Sequence, residues 1–329
     1  MIDVHTHVVP ENFPTYLGRH LNVPWPSMTH AQPCHKHVMV SGSIFRTVSH
    51  QCWNCEVRRS DMAERQVGIE VLSPMPELLS YWLEPDDGAA LCLYLNEVIA
   101  EMVAHSPKSF VGLGAVPLQN VDMAIQTLDY AVHKLGLAGV EIGSNVNGIV
   151  IGDPRFYPFF EAAANWGAAI FVHPLRPSGL DRLVGPAALE QVLAFPGDTG
   201  LAAASMITGG TFSKLPHLRI AYSHGGGTLQ ALLPRLQFAW NALPNISNAL
   251  HGDPLDAARR MFYDDLVYDA HTIHRLIQVF GSGQIMVGTD YPFAIMDSNP
   301  DQRLRSLELP DVVVNQLRSG NARRWLNLA

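Results

Sequence analysis

Charge is scarce in this chain. Asp, Glu, Lys and Arg make up 16% of the 329 residues, against about 25% in an average soluble protein. A surface so short of charge points to a partner subunit covering part of it. The sequence has no basic run, and its 22 Lys and Arg are outnumbered by 30 Asp and Glu, a formal charge of -8. Nucleic acid and anionic membrane surfaces are therefore excluded as main partners, leaving a small molecule. Cysteine is also sparse. Four residues, Cys34, Cys52, Cys55 and Cys92, are too few for a disulfide scaffold in a chain long enough to build a large core, and a reducing cytoplasm is expected. Apolar stretches fall short of the ~18 residues of a membrane span, and MIDVHTHVVP has neither the basic nor the apolar region of a secretory leader. A soluble, unsecreted protein is expected.

What the sequence does have is alternation. Eight short, apolar, mostly β-branched runs read as strands: Ile2 to His7, Ile69 to Ser73, Phe110 to Val116, Val140 to Gly143, Ala169 to His173, Arg219 to His224, Leu266 to Asp269 and Ile285 to Asp290. Helical periodicity separates them, as over Asp86 to His105, Asp122 to Leu135, Pro154 to Trp166 and Ala187 to Thr208. Two helices, Asp311 to Ser319 and Asn321 to Leu328, are expected at the end. Strands apolar on both faces and alternating with helices form a parallel sheet under helices. Eight units, with no Gly-x-Gly-x-x-Gly turn after the first strand, favour a closed (β/α)8 barrel over an open doubly wound sheet. The whole chain, 1–329, then reads as one barrel domain. Residues 10–55, rich in Pro, His and polar residues with a hairpin around Ser41-Gly42-Ser43, form an inserted lid at the C-terminal mouth.

Metal-competent side chains collect at strand C-termini: His5 and His7 on the first, His173 on the fifth, His224 on the sixth and Asp290 on the eighth. Residues i and i+2 of a strand share a face, so His5 and His7 can grip one ion. With His173 and Asp290 they make a nitrogen-rich shell suited to zinc or another divalent transition ion, one per chain. Each residue alone has a blander reading, since His before Pro and Asp opening a turn are common structural devices. Their joint occurrence at strand ends favours the metal. His224, followed by Gly225-Gly226-Gly227, is read instead as the general base that deprotonates a metal-bound water. No lysine ends the fourth strand, Val140-Glu141-Ile142-Gly143, which disfavours a carbamate-bridged metal pair. His30, Cys34, His35, His37 and Cys52-x-x-Cys55 offer a weaker candidate for a second, structural zinc site.

Taken together, His5-Thr6-His7, His173-Pro174, His224-Gly225-Gly226-Gly227 and Gly288-Thr289-Asp290-Tyr291-Pro292-Phe293, with Val116-Pro117-Leu118-Gln119, Phe45-Arg46 and Pro234-Arg235, make a chain that resembles the amidohydrolase superfamily over nearly its whole length. The resemblance is to the branch of aminocarboxymuconate semialdehyde decarboxylase and related metal-dependent decarboxylases. It implies a distorted barrel, zinc held by His5, His7, His173 and Asp290, and His224 activating the metal-bound water. It further implies Arg46 on a substrate carboxylate and Arg235 reaching into the neighbouring subunit's site, so that a homodimer is the catalytic unit. Phe293 and Arg176 complete the expected substrate-binding set. The chain departs from the family decarboxylase at Leu175-Arg176, where that enzyme has Trp-Asp, and near Ala187 or Ala188, where it has an active-site tryptophan. Arg176 and Arg182 thereby add cationic contacts or reshape the pocket. The expected reaction is non-oxidative decarboxylation of a carboxymuconate-semialdehyde-type or related aromatic carboxylate in aromatic catabolism. The alternative is a hydrolase of the same superfamily opening a lactone or amide.

Overall fold

A computed structural model describes residues 1–186, 188–250 and 252–328. Its strands, in chain order, are β1 (Ile2–Val8), β2 (Ser27–Gln32), β3 (His35–Val40), β4 (Ser43–Ser49), β5 (Ile69–Pro74), β6 (Phe110–Gly114), β7 (Gly139–Gly143), β8 (Asn145–Val146), β9 (Ile149–Val150), β10 (Ala169–His173), β11 (Arg219–Tyr222), β12 (Phe262–Asp264) and β13 (Ile285–Met286). Eight form one parallel sheet in the order β1-β5-β6-β7-β10-β11-β12-β13. Parallel bridges Asp3↔Val287 and Thr6↔Tyr291, with Val4 N–H donating to Val287 O at 2.8 Å, bring the last strand back to the first. The fold is a (β/α)8 barrel, as the alternation predicts.

Two apolar layers hold it. Inside, Ile2, Val4, Val71, Leu113, Phe171 and Met286 pack with Trp325 from the C-terminal helix (Asn321–Leu326). Outside, the strands' other faces pack against helices such as Pro85–His105, which opens on Pro85, Asp86 and Asp87 and ends on His105. That order complements the helix dipole. Among the described residues no helix is long and apolar enough to cross a membrane.

Several sequence expectations need correction, and the third strand ends at Gly114, not Val116. The seventh strand is Phe262–Asp264, not Leu266 to Asp269. Asp269 instead caps the helix Ala270–Phe280, its side chain accepting from Thr272 N–H, because a carboxylate before a helix satisfies amides the helix cannot. The sixth strand stops at Tyr222, and the eighth at Met286. The helix expected over Ala187 to Thr208 takes its α form only at Phe195–Thr208, after a wider turn over Glu190–Ala194; Ala187 lies outside the described residues.

Within 10–55, the expected hairpin is β3 paired antiparallel to β4, with β2 added on the other side of β3. This small sheet sits over the barrel mouth and donates Phe45 and Arg46 to the cavity described below.

Candidate metal centre and active-site cavity

The first strand carries a subtlety that alternation alone does not supply. Val4 belongs to the barrel's inner cluster, yet the ring of the next residue, His5, also lies 5.1 Å from inward-facing Phe171. The register explains it, stepping from Asp3↔Glu70 to Thr6↔Leu72, so β1 has one residue more than β5 over this stretch. Such a bulge re-aims side chains, and here it turns His5 and His7 into the mouth, their rings 5.1 Å apart.

His5, His7, His173 and Asp290 are all buried, and one ligand atom from each lies within 4.8 Å of the others. Every histidine has one nitrogen anchored. His5 Nδ1 is 2.7 Å from Asp264 Oδ2, His7 Nδ1 is 3.3 Å from Pro74 O, and His173 Nδ1 is 3.0 Å from Pro174 O. The opposite atom, Nε2, has no hydrogen-bond partner in any of the three. A buried polar atom without a partner is costly, and three converging beside Asp290 Oδ1, which lies 3.0 Å from His7 Nε2 and 3.5 Å from His5 Nε2, fit a divalent ion.

The proton affinities of His173, His7 and Asp290 agree. Burial pulls His173 well below the ordinary imidazole value, aided by the neighbouring imidazoles of His7 and His5. Burial likewise lowers His7 despite the Asp290 carboxylate facing it. Burial also opposes the charge on His5, but the hydrogen bond and charge of Asp264 outweigh it and raise the value. Burial pushes Asp290 up, while His7 facing it and the other nearby imidazoles hold it below the usual carboxylate range.

His224 stands beside this group, its ring 5.3 Å from those of both His5 and His173. Burial, reinforced by the neighbouring His5, lowers it to about 4, so the imidazole is neutral at physiological pH. Its φ of 54° and the glycines that follow form a tight turn. At Gly227, φ is +57° and a Cβ would come within 2.0 Å of Pro196 O, so only glycine fits. Gly225 N–H donates to Asp264 Oδ1 at 2.8 Å. Asp264 thus ties His5 to the loop that carries His224. Sequence reasoning missed it by placing the seventh strand too late; the available signal was the Asp264-Asp265 pair directly after Met261-Phe262-Tyr263. Gly288 accommodates the same packing, since a Cβ there would meet Asp264 Cβ at 2.8 Å and His5 Cβ at 2.9 Å.

These groups open into a cavity of about 490 Å³. Arg46 lines it, half-buried, with its guanidinium 4.4 Å from the Phe293 ring centroid, and Phe293 stacks on His7 at 5.1 Å. Among the described residues no ion pair engages Arg46 (its proton affinity is lowered first by burial, with Asp290 opposing). Arg176 also lines the cavity, but Glu77 Oε1 accepts from its Nη2 at 2.8 Å and its Nε at 3.2 Å, and its guanidinium lies over the Trp82 ring at 3.1 Å. Arg182, exposed, is not among the lining residues, and Arg235 lies exposed on the helix Leu229–Ala242, also away from the cavity.

Glu141 is buried behind His7, its Oε2 4.0 Å from Nδ1. Burial, then the charge of Asp290, raises its carboxyl well above the ordinary value. The lid's histidines and cysteines do not assemble: His35 Nδ1 lies 3.0 Å from Pro33 O and His37 Nδ1 2.9 Å from Thr47 Oγ1, all four cysteines are free, and among the described residues the only group with metal geometry is the one above.

Comparison with known proteins agrees with the barrel fold. The protein family described as "Amidohydrolase" matches residues 2–328. The 2-amino-3-carboxymuconate-6-semialdehyde decarboxylase of Dictyostelium discoideum is 36% identical over 329 residues, 99% of this chain and 91% of that one. The crystal structure of 5-carboxyvanillate decarboxylase from Sphingomonas paucimobilis is 26% identical, with a TM-score of 0.77 over 83% of each chain. A 5-carboxyvanillate decarboxylase from Novosphingobium aromaticivorans, solved as a mutant with bound manganese, is 22% identical, with a TM-score of 0.75 over 85% of this chain and 83% of that one. With a barrel closed end to end and a family match spanning all but its terminal residues, this chain belongs to the amidohydrolase family.

Proposed function

We propose that the protein is a metal-dependent carboxy-lyase that releases CO2 without oxidation from an unsaturated or aromatic carboxylate of the carboxymuconate-semialdehyde type, in the cytoplasm. The observation that carries this reading is the unpaired guanidinium of Arg46 in the same cavity as the unpartnered Nε2 atoms of His7 and His173. An anion is recognised there beside a site fit for a cation. The names of the relatives, decarboxylases of carboxymuconate semialdehyde and carboxyvanillate, support the substrate class.

His5, His7, His173 and Asp290 would hold the ion, zinc or another divalent transition metal such as the manganese named for a neighbour. When bound, it supplies Lewis acidity that stabilises negative charge developing on substrate oxygen. Arg46 clamps the carboxylate, as a planar guanidinium does best. Phe293, packed between His7 and Arg46, holds the guanidinium in place beside the candidate metal group. His224, neutral at physiological pH, takes a proton from solvent water and delivers it to the substrate carbon. The bond from that carbon to the carboxylate breaks, the electron pair stays on the carbon, and a proton takes the place of CO2. Arg235, exposed and not part of its own cavity's lining, serves the neighbouring subunit's site in a homodimer.

The test is a panel of carboxymuconate semialdehydes, hydroxybenzoates and lactones, assayed for CO2 on protein stripped with a chelator and reloaded with zinc or manganese. CO2 released in step with substrate loss is expected. Lactone opening with water consumed and no CO2 from any acid would replace this reading with the hydrolase.

A further inference from the structure

The cavity's charges are unevenly spent. Arg46 keeps a guanidinium with no ion-pair partner among the described residues, while Arg176 gives two of its donors to Glu77 and its face to Trp82. Glu190 lines the cavity along with both. The strip of wall formed by Glu77, Arg176 and Glu190 thus holds two carboxylates against one guanidinium already engaged. It offers an incoming ligand acceptors, not a free cation. The same cavity holds the buried, unpartnered Nε2 atoms of His7 and His173, so a ligand seated on them and on Arg46 lies within reach of this strip. Burial, and then the charge of Glu77, raises the Glu190 carboxyl above its ordinary value, with Arg176 opposing.

We propose that Glu77, Arg176 and Glu190 form a specificity wall that selects substrates carrying an amino or hydroxyl hydrogen-bond donor at the end away from the Arg46-bound carboxylate and rejects those carrying a second carboxylate there. Arg176 is an orienting group on this wall, not a second carboxylate clamp. Glu77 holds it in place across 99 residues of sequence, and its φ of 43° fixes the backbone in a conformation uncommon for a residue with a side chain. The inference rests on the carboxylate-binding part of the proposed function but not on turnover.

Two para-substituted benzoates test it, 4-aminobenzoate and terephthalate, titrated calorimetrically into zinc-loaded protein. The wild type should bind 4-aminobenzoate at least about tenfold more tightly, the scale that charge complementarity imposes on ligand choice. Glu77→Gln releases the Arg176 guanidinium and should strengthen terephthalate, and Glu190→Gln should narrow the gap by weakening 4-aminobenzoate. Equal or reversed preference in the wild type, a gap untouched by both substitutions, or no saturable binding of 4-aminobenzoate overturns the proposal. Failure of the decarboxylase reading has a different signature: the preference persists while no acid in the panel yields CO2.

Discussion

Replacing Asp264 by Asn changes one atom behind the candidate metal centre and should disarm it. Asp264 Oδ2 lies 2.7 Å from His5 Nδ1, and Oδ1 accepts from Gly225 N–H at 2.8 Å and Leu266 N–H at 3.2 Å. The carboxylate can only accept, so the proton on His5 sits at Nδ1 and leaves Nε2 with a free lone pair toward the ion. Asparagine has a single oxygen. If that oxygen faces Gly225, its NH2 faces His5 Nδ1, which must then give up its proton to Nε2 and close the ligand atom. If the amide flips, an N–H confronts the buried Gly225 N–H. The flipped amide costs about 1–3 kcal/mol, the penalty of a buried polar group left unpaired. Loss of the partner behind a metal-binding histidine lowers metal affinity by about 10- to 100-fold. Competition with a chromogenic chelator measures the affinity, and urea unfolding of the metal-free protein measures the stability. A folded Asp264→Asn protein with wild-type affinity for both zinc and manganese would refute the tautomer argument.

Two substitutions should separate ligand from base: His173→Ala should lose the metal by elemental analysis, while His224→Asn should keep it and slow turnover by about 10² to 10⁴. Metal lost from both would make His224 a ligand. Gly227→Ala should lower stability by about 1–3 kcal/mol through its left-handed φ, as well as driving a Cβ into Pro196 O; an unchanged thermal midpoint would show that the turn relaxes freely. Thiol titration of the native protein should label exposed Cys34 quickly and spare buried Cys92 and Cys52, the latter pushed up to about 12 by burial; rapid labelling of Cys52 would contradict its packing. Mixing Arg235→Ala chains with His224→Asn chains should restore activity on subunit exchange, because one site of each mixed dimer then carries neither defect. No recovery after proven exchange would confine Arg235 to its own chain or to a structural role.

The barrel was legible in the sequence because each strand is a local apolar run. Ala169–His173 is buried at all five positions, and such a stretch declares itself whatever it pairs with. The four residues of the candidate metal group were legible for the same reason. Each ends or follows such a run, and a parallel barrel brings all strand C-termini to one mouth. The seventh strand was misplaced because Phe262–Asp264 is only three residues long, too short to outweigh the apolar Leu266-Val267 beside it. Asp264 was lost with it.

What tertiary structure alone decided is the choice of partners. Composition places arginines at positions 46, 176 and 235, but only packing leaves Arg46 unpaired in the cavity, binds Arg176 to Glu77 and exposes Arg235 on a helix. The β1 bulge that turns both Val4 and His5 inward depends on register with β5, more than 60 residues away, and the Asp264 carboxylate that fixes the tautomer of His5 lies 259 residues away. Local sequence dictates which segments are strands, because burial and side-chain alternation act over a few residues. It does not dictate which donor meets which acceptor, because a hydrogen bond or ion pair depends on distances of about 3 Å that exist only after the barrel has closed.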